Sequence, residues 1–277
     1  MKRLLFPGLV ASALAAGFLV LSACDPDLGV VAVAGGGGAT EAGATDGPVA
    51  QPQPEAGPTT EGGADEGGSE AGAVTHVIDG TNDFTAGEKL ATSSPGYDAY
   101  VSWDDKKVYF GMSGGDIGTT SSSKWVLIYV DGVPGNAGTA TGISYDCGGT
   151  CAPGQQPSLP FNAGYHLRWK VDGTYSNLQK STGVVAPPWA DVGPISTVAR
   201  SGNFMELSIT RALLGSPTKL RVHVSMLIEA ANPPGWSYAA VPSTSFTDGY
   251  NPASFSKYYE FDLADQAKAP NAYAPKP

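Results

Sequence analysis

Three histidines, three cysteines and a few paired acids are the residues of this chain whose chemistry reaches beyond packing. His76, His166 and His223 lie far apart, and no His-Glu-x-x-His, Gly-x-Ser-x-Gly or Walker pattern contains them. Glu206 and Glu229 offer two carboxylates of the kind glycoside hydrolysis uses, but separate strands do not fix their separation. No nucleophile has an activating base beside it, so the chain is expected not to be an enzyme, and a hydrolase ranks last among its readings. Asp79 and Asp83, with Asn82 between them, crowd one turn with the hard oxygen ligands that Ca2+ takes. Turn aspartates also bond their own backbone, a reading that stands beside calcium here and at Asp104 and Asp105. No other cofactor is expected. Trp189, Trp236 and Tyr250 lie in or beside Pro- and Gly-containing loops, where a flat ring can stack on the apolar face of a sugar. Packing against the domain's own edge is the competing reading for all three.

The cysteines bear on location. Lys2 and Arg3 precede an apolar run from Leu4 to Leu21, which closes on Ser22, Ala23 and Cys24. This ending resembles the lipobox of bacterial lipoproteins. The resemblance implies that residues 1–23 are a signal peptide, cut before Cys24, and that Cys24 carries the lipid that holds the chain to a membrane. Cys147 and Cys151 then remain, in a short loop with Gly148 and Gly149 between them. Outside the cytoplasm such a pair is expected to form a disulfide. Two thiols with no histidine near in sequence make only half a zinc site, and three intervening residues depart from the two of redox motifs.

The net charge of −10 is uneven. Residues 24–73 hold nine acids, no base and no aromatic residue, in a stretch of Gly, Ala, Pro and Thr. Such a segment buries too little apolar surface to offset the entropy of ordering, so it reads as a disordered acidic tether. Residues 74–277 hold 17 acids and 14 bases, which leaves no basic patch for nucleic acid and no polybasic surface for lipid headgroups.

The elements that must position the candidate residues are strands. Tyr97 to Trp103 alternates with period two, Asp104 to Lys107 is a polar turn, and Val108-Tyr109-Phe110 returns. Trp125 to Val130 is a continuous apolar run, as in a central strand buried on both faces. Tyr165 to Val171 alternates with Tyr165, Leu167, Trp169 and Val171 inward, before a two-residue turn at Asp172-Gly173. Val74 to Ile78, Asn203 to Ile209, Leu220 to Ile228, Trp236 to Val241 and Lys257 to Leu263 add further strands. Thr210 can cap one helical turn ending at Gly215. No helix-period stretch of ten residues follows the signal. About ten to twelve short strands predict an all-β, antiparallel two-sheet β-sandwich over residues 74–264, and Ala-, Pro- and Lys-rich residues 265–277 read as a frayed tail.

Three stretches carry a further likeness: Val77 to Phe84, Val101 to Gly111, and Phe204 to Gly215. Together they resemble the family-9-like carbohydrate-binding and DOMON-type β-sandwich domains. The family includes sugar binders, haem binders and modules fused to enzymes. Met112, Met205, Met226, His166 and His223 match no haem motif. The likeness implies a non-catalytic binding module for a polysaccharide or glycan. The alternative is a structural lipoprotein that meets an envelope protein partner and has no small ligand. Both readings place it in a bacterial cell envelope, outside the cytoplasm, with the outer membrane favoured.

Overall fold

The computed structural model describes residues 75–121, 123–131, 137–143, 156–184, 187–229, 235–250 and 252–277. The strands come in chain order as β1 (Lys89–Ala91), β2 (Asp98–Trp103), β3 (Lys107–Ser113), β4 (Lys124–Asp131) and β5 (Thr139–Thr141). Next are β6 (Ser158–Ala163), β7 (Tyr165–Lys170), β8 (Ser176–Ser181), β9 (Trp189–Gly193) and β10 (Val198–Ser201). Then come β11 (Phe204–Thr210), β12 (Lys219–Ile228), β13 (Trp236–Val241), β14 (Gly249–Tyr250) and β15 (Tyr259–Asp262). The small sheet runs β1-β2-β3-β11-β10 and the large sheet β14-β13-β12-β4-β7-β8-β9. The fold is an all-β sandwich of two antiparallel sheets, as the alternation predicts.

The central strand is β4, between β12 and β7. Its Val126, Ile128 and Val130 face the core between the sheets, where they meet Val101, Phe110, Met205 and Leu207 of the small sheet. Its Trp125, Leu127 and Tyr129 point the other way, into a second core. That second core forms because Ile143, Leu159, Phe161, Trp189 and Phe255 cover the outer face of the large sheet. The ten residues of β12 are shared along one side, with β15 on Lys219–Val222 and β13 on Val224–Ile228.

Four expectations change. Residues 75–78 form no strand: Val77 N donates to Asp83 Oδ2 at 3.4 Å, and the Asp79 and Gly80 N–H groups that follow donate to a side chain of the small sheet instead of to a ladder. The turn after β7 is longer than two residues, since the last paired residues are Trp169 and Ser176. Val171 is drawn into the core and its N–H reaches Lys124 O at 3.1 Å, so Asp172, Gly173 and Thr174 complete a wider loop. Ser158–Ala163, which the sequence reading does not assign to a strand, pairs with β5. The C-terminal residues are not frayed. Tyr273 packs on Trp103 and Phe261 at ring distances of 6.2 and 5.3 Å, and Tyr258 and Lys276 exchange backbone hydrogen bonds of 3.0 and 2.8 Å. A single aromatic residue anchors a tail whose composition reads as disordered.

Candidate functional site

The two outer faces treat their polar side chains differently. On the small sheet they hold the N-terminal segment. His76 is buried and stacks on Phe84 at 4.2 Å. Its Nδ1 meets Asp83 Oδ1 at 2.8 Å and its Nε2 meets Glu88 Oε1 at 3.0 Å. Burial alone would lower its pKa, but the two carboxylates outweigh burial and raise it. Glu88 also accepts from Ser102 Oγ, Thr85 N and Thr85 Oγ1. Burial would raise its pKa, and these bonds, His76 first, lower it instead. Ser102, Glu88, His76 and Asp83 carry the residue types of a catalytic triad in the wrong order. The serine donates to a carboxylate, and both imidazole nitrogens are engaged, so no base is aimed at a nucleophile.

Glu206 is fully buried in β11, and its Oε1 accepts from Asp79 N at 2.8 Å and Gly80 N at 2.6 Å. Burial raises its pKa against the effect of those two bonds. Asp79 closes its own turn on Thr81 N, and Asp83 is engaged by His76 and Val77 N. These contacts give Asp79 the backbone turn that stands beside calcium as its reading, and give Asp83 a clamp on His76. Among the described residues no three His, Cys, Asp or Glu side chains converge as metal ligands would. Asp104 caps its hairpin by accepting from Lys106 N, Lys107 N and Tyr109 Oη at 2.6–2.7 Å. Arg211 reaches Asp104 O at 3.0 Å, so the three stretches that carry the family likeness touch one another and lock the small sheet.

The large sheet holds a different arrangement. Strand register places Gln179, His166, Tyr129 and His223 in one row, and Asn177, Arg168, Leu127 and Ser225 in the next. At about 4.8 Å per strand, His166 and His223 stand roughly 10 Å apart with Tyr129 between. Gln179 Nε2 donates to Asp191 at 2.8 Å, which orients the amide so that its oxygen faces His166 Nδ1 at 3.1 Å. His166 therefore carries its proton on Nδ1 and presents the lone pair of Nε2. Ser245 Oγ lies 3.0 Å from His223 Nε2 and donates to Lys257 O at 3.1 Å, so His223 Nε2 carries the proton and Nδ1 the lone pair. Burial pushes both histidines down to about 3.

Among the described residues, five side-chain atoms on this face are buried without a hydrogen-bond partner: His166 Nε2, His223 Nδ1, Ser225 Oγ, Asn177 Oδ1 and Arg168 Nε. Three are acceptors, one a hydroxyl and one a donor. Aromatic rings alternate with them. Tyr129 stacks on His166 at 4.4 Å, Phe255 on His223 at 4.3 Å, and Trp125 lies under Lys170 Nζ at 4.9 Å. A buried polar group costs about 1–3 kcal/mol when unpaired, so native proteins partner such groups with protein, water or ligand.

The expected stacking residues do not share a groove. Trp189 is 8% exposed in the second core, with Nε1 donating to Thr141 O at 3.1 Å, so its ring is covered instead of open on a loop. Trp236 and Tyr250 lie at the opposite edge of the sheet, ring to edge at 4.7 Å, with Tyr250 45% exposed. Glu229 accepts from Trp125 Nε1 at 2.9 Å and does not pair with Glu206, which sits in the other sheet. Met112, Met205 and Met226 face the core between the sheets, whereas His166 and His223 face away from it. Cys24, Cys147 and Cys151 lie outside the described residues.

Comparison with family models, with curated proteins and with solved structures gives no match for this chain. The polar rows of the large sheet escape a sequence reading that assigns each strand singly. The signal is there as His166, Arg168 and Lys170, Asn177 and Gln179, and His223 and Ser225, each set of one parity in its strand. Only the register turns those sets into one surface.

Proposed function

We propose that the chain is a lipid-anchored protein of a bacterial cell envelope, held to a membrane through Cys24, whose sandwich is a non-catalytic binding module for carbohydrate. One observation carries the binding reading: five buried polar atoms without partners, set among aromatic rings on one face of the large sheet. Sugar hydroxyls complement that set. They donate to the lone pairs of His166, His223 and Asn177, share a bond with Ser225, and accept from Arg168 Nε. Rings flanking such groups suit the apolar faces of a pyranose. The anchor reading draws on the signal and on Cys24. The alternative, a structural or interaction protein without a small ligand, draws on the closure of this same face, since none of the five atoms reaches solvent.

The test is a glycan array probed with the full chain, with Ser225→Ala, Arg168→Met and Trp236→Ala beside it. Binding that weakens at least tenfold in Ser225→Ala and Arg168→Met, and persists in Trp236→Ala, supports the sheet face. Loss only in Trp236→Ala moves the site to the aromatic pair at the edge. An array without any binding sinks the carbohydrate reading and leaves the interaction protein.

A further inference from the structure

A cavity of 220 Å³ opens where the chain crosses from the large sheet to the small one, between β9 and β10. It forms where the β10–β11 ladder ends, one bond past Val198 and Leu207, with Ser208 N donating to Thr197 O at 3.0 Å. Pro194 to Thr197 then bridge the sheets and line the cavity together with buried Ile209 and exposed Thr210. The floor is apolar, made by Leu178, Ile195 and Ile209, all of them core residues. The bulge in β9 shapes the opening. Leu178 pairs with Gly193 and Gln179 with Asp191, so Val192 is an extra residue with no partner in the ladder. Gly193, at φ 144°, takes the turn that follows. Val192 and Leu213 line the cavity and are 51% and 40% exposed, a large apolar exposure for a single rim.

Charge at this site has one sign. Lys107 alone among the lining residues is charged, and it forms no ion pair with any described residue. The nearest carboxylate in sequence but one, Asp104, is engaged by its own turn and by Tyr109. Ser196, Thr197, Ser208 and Thr210 add hydroxyls to the same lining. At about 30 Å³ per water-sized group, the volume holds roughly seven heavy atoms, fewer than a sugar ring with its hydroxyls needs.

We propose that this cavity binds a short aliphatic carboxylic acid, with its tail on Leu178, Ile195 and Ile209 and its carboxylate at Lys107. The site is separate from the carbohydrate face, and its occupancy does not depend on that reading. A longer chain gains affinity until the floor is covered, by about fourfold per methylene. The carboxylate adds about threefold over an uncharged head, because the ammonium is only partly withdrawn from water.

Calorimetric titration of the full chain with straight-chain acids from acetate to octanoate, and with hexanamide, tests this. Affinity is expected to climb to about six carbons and then level, with hexanoate about threefold tighter than hexanamide. Lys107→Met keeps the climb and abolishes the difference between the two heads. Lys107→Glu reverses the preference, so that hexylamine binds more tightly than hexanoate. Affinity that ignores chain length, or hexanoate no tighter than hexanamide on the wild-type chain, overturns the proposal without recourse to any variant. A hexanoate preference that survives in Lys107→Met overturns the role of that residue and, with it, the carboxylate. Glycan binding measured on Lys107→Met stays at the wild-type level if the two sites are separate, and its loss refutes the separation.

Discussion

Acid should loosen this sandwich through two histidines before it titrates most carboxylates. His166 and His223 are buried and neutral, with pKa values pushed down from 6.5 to about 3. A group whose folded pKa is depressed contributes stability above its unfolded value, and that stability is lost as pH falls. At pH 5 each histidine is protonated in the unfolded chain and neutral in the folded one, which removes about 2 kcal/mol per residue. Together that is about 4 kcal/mol against the 5–15 kcal/mol typical of a domain. His76 does not contribute to the slope between pH 4.5 and 6, because its raised pKa keeps it charged in the folded state and it is largely charged unfolded. Glu206 opposes, since its raised pKa lets the folded chain hold an extra proton above 4.5. The expected slope is therefore between one and two protons, about 1.4–2.7 kcal/mol per pH unit. Urea unfolding at steps from pH 4.5 to 6 measures it. His223→Phe should remove one proton from the slope, about 1.4 kcal/mol per pH unit, while Ser245 keeps its bonds to Lys257. An identical slope in wild type and His223→Phe would refute the assignment, as would stability that rises on acidification in this range.

The other expectations are narrower. Ser225→Ala removes a buried hydroxyl without a partner, so in the absence of ligand it should stabilise the chain by about 1 kcal/mol, read as a Tm rise of roughly 2–4 °C. A fall of that size would mean that Ser225 has a partner when no glycan is present. Glu206→Gln keeps an oxygen for Asp79 N and Gly80 N and drops a costly buried charge, so unfolding at pH 7 should change little or become harder. Glu206→Ala orphans both N–H groups and should cost about 2–4 kcal/mol in the same urea experiment. The His76 clamp has a pH window of its own. His76 is raised, so its contribution is full below 6.5 and fades as pH climbs through the folded value; Glu88 is lowered, so its contribution is full above 4.5 and fades in acid. Proteolysis at residues 75–88 should therefore be slowest between about pH 4.5 and 6.5 and quicken in alkali, and His76→Ala should lose that alkaline rise. Tyr273→Ala should expose Trp103 and release the C-terminal residues, at a cost of about 2 kcal/mol, with a red shift in tryptophan emission as the readout.

The sandwich was legible because alternation is a strong signal when one face of each strand is buried. Tyr165, Leu167, Trp169 and Val171 point inward as their spacing implies, and the apolar run of β4 occupies the centre of the large sheet. Composition misled at the C-terminus, where Tyr273 outweighs the Ala and Pro around it by filling a gap beside Trp103. It also misled at residues 75–78, whose β-branched run looks like a strand but where Val77 N donates to Asp83 and the chain then turns as Asp79 N and Gly80 N donate to Glu206. Loop membership misled at Trp189, since a ring beside two prolines reads as open until Ile143 and Thr141 are known to lie over it. The polar face was invisible for another reason. Its members come from four strands whose order in the sheet, β12-β4-β7-β8, is not their order in the chain.

The contrast between the two outer faces argues for a function on one of them. On the small sheet Glu88, Glu206 and Asp104 each accept two or more hydrogen bonds, and the result is a clamp on residues 75–85. Selection for stability alone would do the same on the large sheet, or would replace its polar side chains with apolar ones, which is easier by about 1–3 kcal/mol per group. Single exceptions such as Glu206 Oε2 are common in proteins, but five in two adjacent rows are not explained by packing. They lie among aromatic rings, they are mostly acceptors, and burial holds the histidines among them neutral at neutral pH. On the proposed reading the face keeps its polarity for a partner that brings hydroxyl donors, and if no such partner is found, the Ser225→Ala chain should be the more stable protein at no cost to anything it does.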